Sequence, residues 1–133
     1  MVEQRYRLNA GSVFSLKYHL VWCPKYRRSV LVGDIADRLK ELLKQKADEM
    51  KAIVHSLEVM PDHVHLFVES EPTQAPAHIV AQFKGFSSKI LRGEFPSLRS
   101  RLPTLWSRSY YISSVGSVTA SAIQHYIESQ RGK

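Results

Sequence analysis

Two β-rich runs, residues 52–60 and 63–70, are separated only by Pro61-Asp62, and this spacing constrains the fold more than any other feature of the chain. Proline and aspartate suit the centre of a tight turn, and a connection of two residues joins strands antiparallel. A hairpin is therefore expected, and any sheet the chain forms must contain it. Upstream, residues 13–23 alternate Phe14, Leu16, Tyr18, Leu20 and Trp22 with Ser15, Lys17 and His19, the period of a half-buried strand. From Asp34 the apolar positions become Ile35, Leu39, Leu42, Leu43 and Met50, a helical stripe ending near Lys51, with Asp34 suited to cap its first turn.

Downstream of the hairpin, Thr73 to Leu91 carries Ile79, Val80, Phe83, Ile90 and Leu91 at helical spacing. Gly93 to Thr104 is rich in turn formers and arginine and reads as a basic loop. Leu105 to Ser113 reads as a fourth strand, Gly116 breaks it, and Ser117 can cap a last helix from Val118 to about Gln130. The order β-α-β-β-α-β-α predicts an α+β, ferredoxin-like antiparallel sheet with two helices on one face. The additional C-terminal helix can lie across the other face. At 133 residues the whole chain, 1–133, is expected to form a single domain.

Composition removes several classes of function. Cys23 is the only cysteine, so neither an internal disulfide nor a cysteine-rich zinc site can form, and it is expected as a small buried hydrophobe. No apolar run approaches the roughly 20 residues a membrane helix needs. The first residues, MVEQRYRLNAGS, lack the apolar stretch of a signal peptide, so a cytoplasmic protein is expected.

The formal charge of +7 and pI near 9.7 point to a polyanionic partner, because Lys and Arg displace condensed counterions from phosphates. Residues 72–127 hold Lys84, Lys89, Arg92, Arg99, Arg101 and Arg108 against a single acid, Glu94, and Lys25-Tyr26-Arg27-Arg28 forms a second cluster. Asp34, Asp37, Glu41, Asp48 and Glu49 gather instead on the first helix, which reads as a solvated face turned from that partner.

His63-Val64-His65 opens the third strand, and residues two apart on a strand share a face, so both imidazoles can reach one ion. Val64, Leu66 and Val68 then face the helices. With six histidines in the chain, an H-x-H triplet arises by chance about one time in four, so the pair alone is weak. Tyr126 and Gln130 are four apart on the last helix and lie one above the other, although Tyr126 can also simply extend the Ile123 and Ile127 stripe. Together they make a coherent site. A divalent cation on two neutral imidazoles and a neutral amide keeps its charge and open positions for a phosphate. A phenol of reference pKa about 10 is a poor nucleophile until deprotonated, but can then attack phosphorus covalently.

The segments YHLVWCPKYRR (Tyr18–Arg28), MPDHVHLFV (Met60–Val68), QFKGFSSKIL (Gln82–Leu91), LWSRSYYISSVG (Leu105–Gly116) and HYIESQ (His125–Gln130) follow one another along nearly the whole chain. In this the chain resembles the single-tyrosine HUH transposases of small bacterial insertion sequences, which move as single-stranded DNA. The resemblance implies that His63 and His65 are the histidine pair, Tyr126 the nucleophile and Gln130 the third metal ligand. It further implies a homodimer with the tyrosine helix exchanged between subunits, hairpins in single-stranded DNA at element ends as partner, and a 5′-phosphotyrosine with a free 3′-hydroxyl as intermediate. Gly116 is then either a hinge for the exchange or an ordinary turn glycine. Two imidazoles favour manganese or zinc, whereas the family is associated with magnesium, so Mg²⁺ or Mn²⁺ is expected.

Lys25, Arg27, Arg28, Lys84, Lys89, Arg92 and Arg99 are candidates for DNA phosphates and Tyr26 for base stacking. Trp106 is either a second platform or core. His19, His55, His78 and His125 match no metal spacing with the pair and are given no role. The competing readings are a non-catalytic protein that binds single-stranded hairpins, a domesticated relative acting on repeated genomic palindromes, and a metal-dependent hydrolase that replaces Tyr126 with water.

Overall fold

The computed structural model describes residues 7–8, 11, 13–14, 16–114 and 120–133. Short strands β1 (Arg7–Leu8) and β2 (Val13–Phe14) pair with each other. The main sheet holds β3 (Leu16–Trp22), β4 (Ile53–Met60), β5 (His63–Ser70) and β6 (Tyr111–Ser114) in the antiparallel order β4-β5-β3-β6. The helices are α1 (Gly33–Glu49), α2 (Pro76–Glu94), α3 (Pro96–Arg101) and α4 (Ala120–Ser129). With β3-α1-β4-β5-α2-β6 this is the expected ferredoxin-like arrangement, followed by a C-terminal helix.

The hairpin is as tight as the sequence implies, since Met60 pairs with His63 across Pro61-Asp62. On the other side of β5, β3 pairs Leu20 with Leu66 and Trp22 with Val64, so alternation drives these four side chains into one layer where all are fully buried. Leu39, Leu42, Leu43 and Ala47 of α1 and Ile79, Val80, Phe83 and Leu91 of α2 recur at three- and four-residue spacing and close that layer. Full burial of each such side chain is worth about 1.5–3 kcal/mol, which makes this face the source of the fold's stability. Among the described residues, no helix is long and apolar enough to cross a membrane.

The fourth strand departs from expectation. It runs from Tyr111 to Ser114, and residues 105–110 form no ladder apart from the bridge of Trp106 to Pro24. Side chains of α2 occupy this segment's polar groups. The indole Nε1 of Trp106 donates to the Lys84 carbonyl and the Ser87 hydroxyl, both at 3.1 Å, while the Lys84 ammonium donates to the carbonyls of Ser107 at 2.7 Å and Ser109 at 3.2 Å. Trp106 is buried and meets Trp22 edge-on with ring centroids 5.9 Å apart, so it belongs to the core.

Other boundaries moved for local reasons. The expected first strand is divided between β2 and β3, with Ser15 outside the described residues. Helix α1 begins at Gly33 with Val32 at the capping position, so Asp34 lies within the first turn and acts there through the helix dipole, without capping. Helix α2 starts at Pro76, whose fixed φ suits a first turn, and stops before Phe95-Pro96, because a residue preceding proline is driven out of helical geometry. The expected basic loop contains α3. Gly116 and Ser117 lie outside the described residues.

Replacing Trp106 with alanine removes a buried indole and orphans its acceptors. We expect a stability loss of about 3–5 kcal/mol by urea unfolding with an unchanged m-value, whereas a solvent-facing stacking platform would lose almost none.

Candidate active site

Burial of Val64, Leu66 and Val68 turns His63, His65 and Phe67 of β5 to the sheet face that α1 and α2 leave uncovered. The Nδ1 of His63 lies 2.8 Å from Asp62 Oδ1. A carboxylate can only accept, so Nδ1 carries the hydrogen, and in the neutral ring this leaves the lone pair on Nε2. The other oxygen of Asp62 is 3.4 Å from Arg27 Nε, and Arg27 Nη1 donates to the Ile127 carbonyl at 3.2 Å. One guanidinium thus joins the hairpin turn to the last helix. It projects from a strained turn, for both Tyr26 (φ 59°) and Arg27 (φ 52°) adopt left-handed backbone that side chains disfavour.

His65 meets a partner from the neighbouring strand. Its Nε2 is 3.0 Å from His19 Nδ1, and His19 stacks on Phe67 with centroids 4.4 Å apart and planes at 9°. Burial lowers the pKa of both imidazoles, and for His65 the adjacent His19 adds to it against an opposing effect of Glu58. Both rings are therefore neutral near pH 7, one donating to the other. His63 and His65 carry ring nitrogens, and Gln130 an amide oxygen, of the kinds that can ligate divalent ions, and in this structure that oxygen is held by Ser109. Among the described residues, no three His, Cys, Asp or Glu side chains are gathered closely enough to hold such an ion.

Tyr126 on α4 and Gln130 in the turn just past its end both bind the same hydroxyl. Ser109 Oγ donates to Gln130 Oε1 at 2.7 Å and is 3.0 Å from the Tyr126 hydroxyl, which must then be the donor. Gln130 is buried, with its amide nitrogen donating to Ser129 Oγ at 3.2 Å. The Tyr126 ring lies 6.0 Å from that of Tyr111 in β6, and Ile127 is buried beneath the helix. Burial pushes the Tyr126 phenol up to about 12, only partly opposed by the dipoles of Ser109 and Ser107.

The basic and aromatic candidates divide by location. Arg28, Lys89 and Arg99 are exposed, as is Tyr26, over whose ring the Lys25 ammonium sits at 5.2 Å. Arg27, Lys84 and Arg92 point inward, Arg92 donating to the Leu102 carbonyl at 3.0 Å. Sequence reasoning gave no role to His19, Asp62 or Ser109. His19 shared the outward face of its strand with Lys17, but its meeting with His65 depends on strand pairing. Asp62 read only as a turn former, and Ser109 fell inside a segment expected to be strand.

A family model described as "Transposase IS200 like" matches residues 12–130. The chain belongs to this transposase family. Its members cut and join DNA, so this IS200-like transposase is a DNA-processing enzyme. It is 45% identical over 125 residues to the ISDra2 transposase TnpA of Deinococcus radiodurans, spanning 92% of this chain and 89% of the relative. With the transposase for insertion sequence element IS200 of Salmonella typhimurium it shares 31% identity over 123 residues, 91% of this chain and 80% of the relative. A crystal structure of a candidate transposase from Deinococcus radiodurans superposes with a TM-score of 0.88 at 37% identity, covering 96% and 99% of the two chains. A REP-associated tyrosine transposase bound to a REP hairpin has the same fold, with a TM-score of 0.57 at 14% identity over 96% and 69%.

The raised phenol pKa sets a pH dependence. Between the ordinary value of 10.0 and about 12 the unfolded chain has released the Tyr126 proton while the folded chain retains it, so stability falls as pH rises through this window. The IS200-like transposase should show one phenolate absorbance step near pH 12 that Tyr126→Phe removes.

Proposed function

We propose that this transposase cuts single-stranded DNA by attack of Tyr126 on a phosphodiester and rejoins the strand by the reverse reaction. The observation that carries this reading is the arrangement of α4 and the turn just past its end, which present a phenol and an amide to one hydroxyl while Arg27 ties the helix to Asp62, the partner of His63. In the first step the phenol loses its proton and its oxygen bonds to phosphorus. The bond from phosphorus to the 3′-oxygen breaks, and that oxygen takes up a proton. A 5′-phosphotyrosine and a free 3′-hydroxyl result, and because the ester bond energy is conserved no ATP is required.

His63, His65 and Gln130 would hold Mg²⁺ or Mn²⁺. When bound, such an ion polarises the phosphoryl oxygens and stabilises the leaving alkoxide. Asp62 fixes the His63 tautomer, as carboxylates do beside ligating histidines. On this reading the protein acts as a homodimer in which α4 is exchanged between subunits. The hairpin-bound relative of the same fold supports a DNA hairpin as partner, encountered in the cytoplasm.

Incubation with end-labelled single-stranded DNA from the element's flanks and Mn²⁺ should give a protein–DNA adduct that survives denaturation. Tyr126→Phe should abolish the adduct while retaining hairpin binding; binding without an adduct from the unaltered chain returns the protein to a binding module. Asp62→Ala should weaken Mn²⁺ binding about 10- to 100-fold by calorimetry, and unchanged affinity would remove Asp62 from the site.

A further inference from the structure

We propose that the pocket between residues 107–109 and the end of α4 binds one phosphodiester group of single-stranded DNA, adjacent along the strand to the one Tyr126 attacks. The pocket is lined by Lys25, Ser107, Arg108, Ser109, Gln130 and Lys133 and has a volume of about 210 Å³. It is smaller than the roughly 300 Å³ at which drug-sized sites begin, so it suits a compact tetrahedral group better than a whole nucleotide.

Its lining is built for an anion. Lys25, Arg108 and Lys133 bring positive charge, and none of them forms an ion pair among the described residues. Ser107 supplies a second and independent sign. It is only 3% exposed, and among the described residues its Oγ makes no well-formed hydrogen bond, although it lies near enough to the Tyr126 phenol to lower that group's pKa by weak hydrogen bonding. A buried hydroxyl left unpaired is unfavourable, and rotation about one bond lets it donate to an oxygen in the pocket. Lys84 holds the Ser107 and Ser109 carbonyls back toward α2, which fixes the wall from behind.

The pocket also adjoins the chemistry, because Ser109 and Gln130 belong both to its lining and to the network that holds the Tyr126 phenol. A phosphate seated there would place the strand along α4. This inference rests on the cleavage reading above for the role of the bound group, and it adds Ser107, Arg108 and Lys133 to the residues expected to meet DNA.

The test titrates the metal-free protein with thymidylyl-thymidine, which carries one phosphodiester, and in parallel with thymidine and with inorganic phosphate, following the backbone amide resonances of residues 107–109. The dinucleotide should shift them and thymidine should not. A response to inorganic phosphate with none to the dinucleotide, or to neither, overturns the proposal. Ser107→Ala should weaken dinucleotide binding about three- to tenfold with little fall in Tm, since the hydroxyl has no well-formed internal bond to lose. Unchanged affinity, or a loss matched by a lower Tm, counts against it. Arg108→Gln combined with Lys133→Gln should flatten the salt dependence of single-strand binding by about 0.7 in log-log slope, while Lys40→Gln on α1 should not. If these variants weaken DNA binding but the unaltered chain forms no Tyr126 adduct, the cleavage reading falls and the pocket stands. If adducts form and the slopes are unchanged, the pocket falls and cleavage stands.

Discussion

The pairing of β3 with β5 is the constraint on which the rest of the molecule depends. Its register sets Leu20 against Leu66 and Trp22 against Val64 on the helix-covered side, and the same alternation places His19, His65 and Phe67 on the opposite side. A slip of one residue would exchange the two faces, sending the imidazoles into the core and the aliphatic side chains to water. The burial energy that fixes the fold is thus the same energy that orients the candidate metal ligands. No separate interaction is needed to turn them outward.

A second layer of organisation rests on polar side chains of α2 and the turns. Lys84 and Ser87 occupy the backbone and indole groups of residues 105–109, so this stretch leaves the sheet and passes beside α4. That departure creates Ser109's position between Tyr126 and Gln130 and opens the cationic pocket beside them. Arg27 does the corresponding work at the hairpin, bridging Asp62 and the Ile127 carbonyl from a left-handed turn. Strain in such a turn persists only where surrounding contacts over-determine it, and here a buried strand precedes it while the Lys25 amide bonds the Leu105 carbonyl at 2.8 Å.

The C-terminal segment holds Tyr126 and Gln130 against one hydroxyl, that of Ser109. The phenol is half-buried and protonated near neutral pH, and the Gln130 amide oxygen already accepts a hydrogen bond. Among the described residues neither side chain engages a carboxylate or a lysine.

Much of this was legible before any coordinates. The Pro61-Asp62 turn, the two-residue alternation around it and the three- to four-residue stripes of α1 and α2 are local patterns, because backbone geometry repeats at those periods whatever the tertiary context. They determined the ferredoxin-like order and the outward histidine pair. Tertiary structure decided what lies between elements distant in sequence. His19 meets His65 across 46 residues, Arg27 reaches Ile127 across 100, and Trp106 and Lys84 dissolve an expected strand start by satisfying each other's elements. No period along the chain encodes these meetings, since they follow from strand order and helix packing, and those are set by burial of the whole core at once.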